Sequence, residues 1–161
     1  MKRTPLIFVF VVTALSLAAQ VNPSAFKFAL VTDTHVGGAT GAADLYRTVN
    51  DINSLSDIDF VIVSGDVTEF GAYDELRTAK CLLDELKVPY YAVPGNHDAN
   101  WSESGTNDFN RIFGGDTFGF EYGGFHFIGL ASGPNMRMSP GQIPRENLTW
   151  FFKHIATLRK D

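Results

Sequence analysis

One cysteine in 161 residues is the first scarcity. A lone thiol can form no intrachain disulfide and no Cys-x-x-Cys metal site. Cys81 falls on the apolar side of a predicted helix, so it reads as a buried structural thiol. Basic charge is short as well: 13 Lys and Arg stand against 18 Asp and Glu, a formal net charge of −5. That balance argues against the broad basic face needed to bind a nucleic-acid backbone. Long hydrophobic runs are missing too, since the apolar stretch 6–17 is too short for a comfortable membrane span. The chain has no internal repeat, low-complexity tract or interdomain linker, which leaves room for one domain.

The N-terminus has the layout of a targeting segment. Lys2 and Arg3 precede the apolar run 6–17, and the small residues Ala18 and Ala19 follow it. This predicts a signal peptide over residues 1–19, an exported protein (periplasmic or secreted), and a domain over residues 20–161. Removing Lys2 and Arg3 takes the formal charge from −5 to −7, plainly acidic. No cysteine lies near the cleavage position, so neither a lipid anchor nor a stable membrane anchor is expected after cleavage.

What the chain does have is a series of apolar strands that end in polar chemistry. Residues 26–32 read as a strand, continuously apolar in its later part as for a strand covered on both faces. Asp33-Thr34-His35 follows. In extended backbone, residues i and i+2 project to the same side, so both side chains can approach one ion over the strand's end. After a glycine turn, Leu45, Val49, Ile52 and Leu55 form a stripe at helical spacing. Residues 59–64 make a second buried strand, followed by Gly65-Asp66, where glycine lets the backbone turn sharply or approach a neighbour closely. A second helix over 73–86 carries Leu76, Ala79, Leu82, Leu83 and Leu86 on one face. A third strand over 89–93 runs into Gly95-Asn96-His97-Asp98. Packing does not ask for an amide, an imidazole and a carboxylate in a row. This β-α-β-α-β order predicts an α/β fold with parallel strands. In such sheets ligands gather beyond the carboxyl ends of the strands, where all three polar clusters fall.

Residues 99–115 are polar and aromatic without clear periodicity, and read as a lip beside the site. Segments 118–122 and 125–130 pair as a hairpin around Gly123-Gly124. That register sets Glu121 opposite His126, which makes His126 a cross-strand partner rather than a ligand. A last helix from about Pro144 is expected to bury Leu148, Phe151, Phe152, Ile155 and Leu158, with His154 on a solvated flank.

In this order the three motifs resemble those of the calcineurin-like metallophosphoesterase superfamily: Asp-x-His at Asp33 and His35, Gly-Asp at Asp66, and Gly-Asn-His-Asp at residues 95–98. The resemblance implies a metallophosphoesterase-type layered sandwich with two divalent metal ions. Asp33 and His35 would hold the first ion, Asp66 would bridge both, and Asn96 would bind the second. His97 would be catalytic, facing the substrate phosphate and the leaving group. Mixed carboxylate, amide and imidazole ligands suit manganese, iron or zinc. Such a centre hydrolyses small phosphomonoesters or phosphodiesters with a metal-activated hydroxide. Asp98 would orient the neighbouring histidine or loop, or be a plain turn carboxylate. The sequence lacks the tyrosine that purple acid phosphatases place three residues after the aspartate, which disfavours an iron–tyrosinate centre, and the form Gly65-Asp66-Val67-Thr68-Glu69 resembles the phosphodiesterase branch, which favours diesters. It also lacks the further histidine and the Gly-His-x-His motif that complete the family's site. The expectation is therefore the N-terminal part of a longer domain, with a sandwich incomplete at its C-terminus. The alternative is a catalytically incompetent metal-binding fragment or a non-catalytic binding protein.

Overall fold

The computed structural model describes residues 25–133 and 141–158, so the expected signal peptide lies outside the described residues. The chain runs β1 (Phe28–Val31), α1 (Gly41–Ser54), β2 (Phe60–Ser64), α2 (Tyr73–Leu83), β3 (Tyr90–Val93). The three strands pair in parallel in the order β1-β2-β3, the α/β arrangement expected. Two short helices follow, α3 (Asn96–Asn100) and α4 (Asn107–Phe113), then an antiparallel hairpin of β4 (Thr117–Tyr122) and β5 (Phe125–Leu130), and finally α5 (Arg145–Thr157). Segment 99–115 is thus not an aperiodic lip. Phe109, Ile112 and Phe113 stand at helical spacing, masked in the sequence by polar neighbours. Phe109 is fully buried, and Gly114 closes the helix in the left-handed conformation at φ 90°.

Strand alternation gives the parallel sheet two different faces. Ala29, Val31, Val61, Val63, Tyr90 and Ala92 pack against Leu45, Val49, Ile52, Leu76, Ala79 and Leu83 of α1 and α2. This is the aliphatic core. Leu55 does not join it; the residue lies just past the end of α1, where the chain turns extended, and is exposed. Cys81 is exposed rather than buried. It stands two residues beyond the buried Ala79 and therefore roughly 200° around the helix, on the outer side.

The opposite face is aromatic and meets the hairpin. The Phe60 ring lies edge-on to Phe120 at 5.1 Å and to Phe127 at 5.0 Å. Tyr91 stacks on Phe120 with centroids 3.7 Å apart. The Tyr122 hydroxyl donates to Asp59 Oδ1 at 2.6 Å, pinning the hairpin's tip to the start of β2. Coverage of β1 on both faces is not observed. Among the described residues β1 is an edge strand, and its Phe28 and Leu30 are exposed.

Helix α5 also departs from expectation. Its only buried described residue is Asn147, while Leu148 and Phe152 are exposed. His154 is not simply solvated. Its Nε2 lies 2.8 Å from Nε2 of His126, its ring stacks on Trp150, and it covers Gly119, where a Cβ would strike the imidazole. His126 does stand opposite Glu121, as the hairpin register requires.

Phe60 is therefore the ring on which the second layer rests. Phe60→Ala is expected to cost about 3–5 kcal/mol of unfolding free energy, whereas Leu30→Ala costs about 0.5 kcal/mol or less. Urea denaturation of both variants measures this, and equal costs would refute the two-faced account of the sheet.

Candidate metal centre

Beyond the last residues of β1 and β2 the chains do not part; the two turns continue to pair. Asp33 N donates to Gly65 O at 3.2 Å, His35 N to Asp66 O at 3.1 Å and Val36 N to Val67 O at 3.0 Å. Glu69 N returns to Val36 O at 3.0 Å, and the Thr34 hydroxyl donates to Val67 O at 2.7 Å. The paired turns hold Asp33, His35 and Asp66 in the left-handed region, at φ 55°, 44° and 46°. This replaces the extended i, i+2 geometry expected from the Asp-x-His spacing. Aspartate and histidine tolerate that region better than branched residues do, but each such position still costs about 1–3 kcal/mol.

The second and third turns touch through their glycines. Gly65 has φ 99°, and a Cβ there would lie 2.8 Å from the Cα of Gly95. A Cβ on Gly95 would strike the carboxylate of Asp66. Glycine in both motifs lets two backbones meet where side chains would hold them apart.

Asp98 fastens that contact. Its side chain is fully buried. Oδ2 accepts from Val67 N at 3.0 Å and Gly95 N at 2.9 Å; Oδ1 accepts from Thr68 N at 2.8 Å and the Thr68 hydroxyl at 2.7 Å. Burial pushes this carboxyl upward from the usual range, and the four donors pull it partly back. Of the two readings of Asp98, the structure bears out the one that orients the loop.

The structure brings most of the sequence-picked residues together. Ligand atoms of Asp33, His35 and Asp66 lie within 4.8 Å of one another, and so do those of His35, Glu69 and His97. His35 Nε2 is 3.9 Å from Asp33 Oδ1, and its Nδ1 is 3.1 Å from Glu69 Oε2. That second approach lacks hydrogen-bond geometry, so the buried Nδ1 is without a hydrogen-bond partner. His97 crosses the His35 ring edge-on at 4.6 Å. Its backbone N donates to Asp66 Oδ1 at 3.0 Å, and its Nδ1 lies 2.6 Å from the carbonyl oxygen of Glu69. Asn96 is exposed and lines a trough of about 350 Å³ with Asp33, Asp66 and Ser132. The trough brings two carboxylates and an amide oxygen together, and the His35 imidazole lies within 4.8 Å of both carboxylates; together they form a donor set suited to a borderline divalent ion. Glu69 is the residue the sequence reading missed. Its one signal was its place as the last residue of the Gly-Asp-x-Thr-Glu form, where the absent tyrosine would stand.

The Asp98 clamp sets a prediction. Asp98→Ala leaves three backbone N–H groups and a hydroxyl without their acceptor. At about 1–3 kcal/mol for each buried donor, the variant should lose at least ~3 kcal/mol of stability. Thr68→Val should lose about 1–2 kcal/mol. Equilibrium urea unfolding reads both, and an Asp98→Ala loss under ~1 kcal/mol would show that the clamp is not structural.

Comparison with known proteins agrees with this layout. A family model described as calcineurin-like phosphoesterase matches residues 26–158. Among curated relatives, a probable glycerophosphodiester phosphodiesterase of Arcobacter nitrofigilis is 38% identical over 77 residues, 42% of this chain and 28% of that protein. A probable cyclic nucleotide phosphodiesterase of Xenorhabdus bovienii is 36% identical over 52 residues, covering 32% of this chain and 21% of the relative. A glycerophosphodiester phosphodiesterase of Enterobacter lignolyticus is 36% identical over 58 residues, 36% and 20% of the two chains. The matches thus span between a fifth and three tenths of these relatives' lengths. The family match takes in the parallel sheet, the turns beyond it and the hairpin alike, and by it the chain belongs to the calcineurin-like phosphoesterase family.

Proposed function

We propose that this chain forms the dinuclear metal centre of a phosphoesterase that favours small phosphodiesters over monoesters. The observation that carries the reading is the convergence of Asp33, His35 and Asp66 within 4.8 Å at adjoining strand ends. Asn96 stands across the same trough. In this reading Asp33 and His35 hold one ion, Asp66 reaches both, and Asn96 serves the second, with manganese, iron or zinc as occupants. When bound, such ions make a water nucleophilic near neutral pH and neutralise phosphoryl oxygens. The diester preference is supported by the relatives, which are named as phosphodiesterases, and by the Gly-Asp-x-Thr-Glu form of residues 65–69. Lys2, Arg3 and the apolar run 6–17 support export, so the substrate would be met outside the cytoplasm.

The protein's own groups do the rest. A carbonyl oxygen only accepts, so the Glu69 contact requires the proton of His97 to sit on Nδ1. Nε2 is then the atom that exchanges a proton. In the imidazolium form it donates to the departing ester oxygen, and afterwards it is free to accept. The backbone N–H of His97 on Asp66 Oδ1 fixes the spacing between this acid and the proposed bridging carboxylate.

A second reading is a chain that binds one ion without turnover. It is favoured by the donor count, because among the predicted ligands only Asp66 and Asn96 serve the second position. Metal content and activity separate the two. With manganese or zinc added, hydrolysis of bis(p-nitrophenyl) phosphate is expected, with two ions per chain, and Asp66→Asn should abolish both. One ion per chain and no hydrolysis under any of the metals would decide for the second reading. His97→Ala should lower turnover by about 10²-fold on an alkyl diester but much less on the nitrophenyl ester, whose leaving group needs little protonation. Equal losses on the two substrates would remove His97 from the acid role.

A further inference from the structure

Three large aromatic side chains stand exposed beside the metal centre: Phe70 (57%), Tyr73 (41%) and Trp101 (50%). Single exposed aromatics are ordinary, but these three line one cavity of about 360 Å³. Its floor is rigid. Gly71 has φ 63°, and a Cβ there would lie 2.7 Å from both the carbonyl oxygen of Asp98 and the Cβ of Ser102. Its rim is ordered by serine: the Ser102 and Ser104 hydroxyls are 3.2 Å apart, and Ser104 Oγ accepts from Asp108 N at 3.2 Å. Two links tie the cavity to the proposed acid. The Trp101 and His97 ring centroids are 6.4 Å apart, and Phe70 directly follows Glu69, whose carbonyl holds His97 Nδ1.

The lining also says what does not belong there. Its charged groups are Glu103 and Asp108, with no lysine or arginine among the lining residues. A phosphate would be repelled, while a flat uncharged ring bearing amine donors meets π faces and carboxylate acceptors. Stacking of a base on an aromatic side chain is worth about 1–3 kcal/mol.

We propose that the cavity between Phe70, Tyr73 and Trp101 is a stacking subsite for a nucleobase carried on the leaving group of the ester, making nucleoside phosphodiesters the substrate class. The orientation of the substrate rests on the phosphoesterase reading above, whereas the subsite itself is read without metal or phosphate. The chain has two tryptophans, so Trp150→Phe leaves Trp101 as the sole indole reporter. Fluorescence of that metal-free protein is titrated with adenosine, which lacks phosphate, and with ribose, which lacks the base. Adenosine should quench saturably and ribose should not. Phe70→Ala and Tyr73→Ala, both exposed positions, should each weaken adenosine binding at least ~5-fold, equivalent to about 1 kcal/mol at each stacking face. No saturable quenching by adenosine, equal quenching by ribose, or unchanged affinity in both alanine variants would overturn the subsite. Adenosine binding without metal-dependent hydrolysis would sink the phosphoesterase reading and leave the subsite standing; hydrolysis without adenosine binding would do the reverse.

Discussion

A single buried carboxylate holds the functional end of this fold together. Asp98 collects donors from Val67, Thr68 and Gly95, and so joins the turn beyond β2 to the turn beyond β3. The turn beyond β1 is tied to the turn beyond β2 by backbone pairing from Asp33 to Glu69. The proposed ligands therefore come from three strand ends that are fixed relative to one another by the protein alone. An unpaired carboxylate would be costly at this depth, and the four hydrogen bonds are what allow it there. A network so fully satisfied orients the groups around it. In this sense Asp98 prepares the site without contacting what the site would bind.

That order is needed because the turns are under strain. Three non-glycine residues in the left-handed region together cost several kcal/mol at the usual rate. An isolated turn would relax. Here His35 N is held by Asp66 O and Asp33 N by Gly65 O, so relaxing one strained residue would break the bonds that hold another. The strained positions are also the proposed ligands, and the left-handed backbone brings the side chains of Asp33, His35 and Asp66 to one point. Strain, pairing and convergence are one arrangement seen from three sides.

How much of this was legible in the sequence depended on whether a signal was local. Short apolar runs and the period of Leu45, Val49 and Ile52 gave the α/β order, because backbone direction and one-sided burial write directly into the pattern. The motifs at Asp33, Asp66 and Asn96 named the site region because packing has no use for them at strand ends. Three things were hidden. The left-handed geometry of Asp33 and His35 depends on pairing with residues some thirty positions away, which spacing cannot show. Cys81 and Leu55 are apolar by type but lie on the wrong side, or past the end, of their helices. The helix around Phe109 was masked because its apolar residues are few and its neighbours polar. Glu69 was hidden for a different reason, since its carboxylate meets His35 only after the two turns have paired.

Under the proposed function, Glu69 and Phe70 join chemistry and specificity in one short segment. The Glu69 carbonyl fixes the proton of His97 on Nδ1, its carboxylate faces His35, and the next side chain forms a wall of the aromatic cavity. Phe70 N in turn donates to Glu75 Oε2, at the start of α2, at 2.9 Å. The segment is therefore held from both sides, by the Val36 pairing before it and by α2 after it. A shift of this backbone by even part of an ångström would alter the His97 contact and the cavity wall together. Under the proposed function, recognition of the leaving group and its protonation would then depend on the same two residues. A substrate that fills the cavity would brace the backbone that orients the acid, and one that leaves it empty would not.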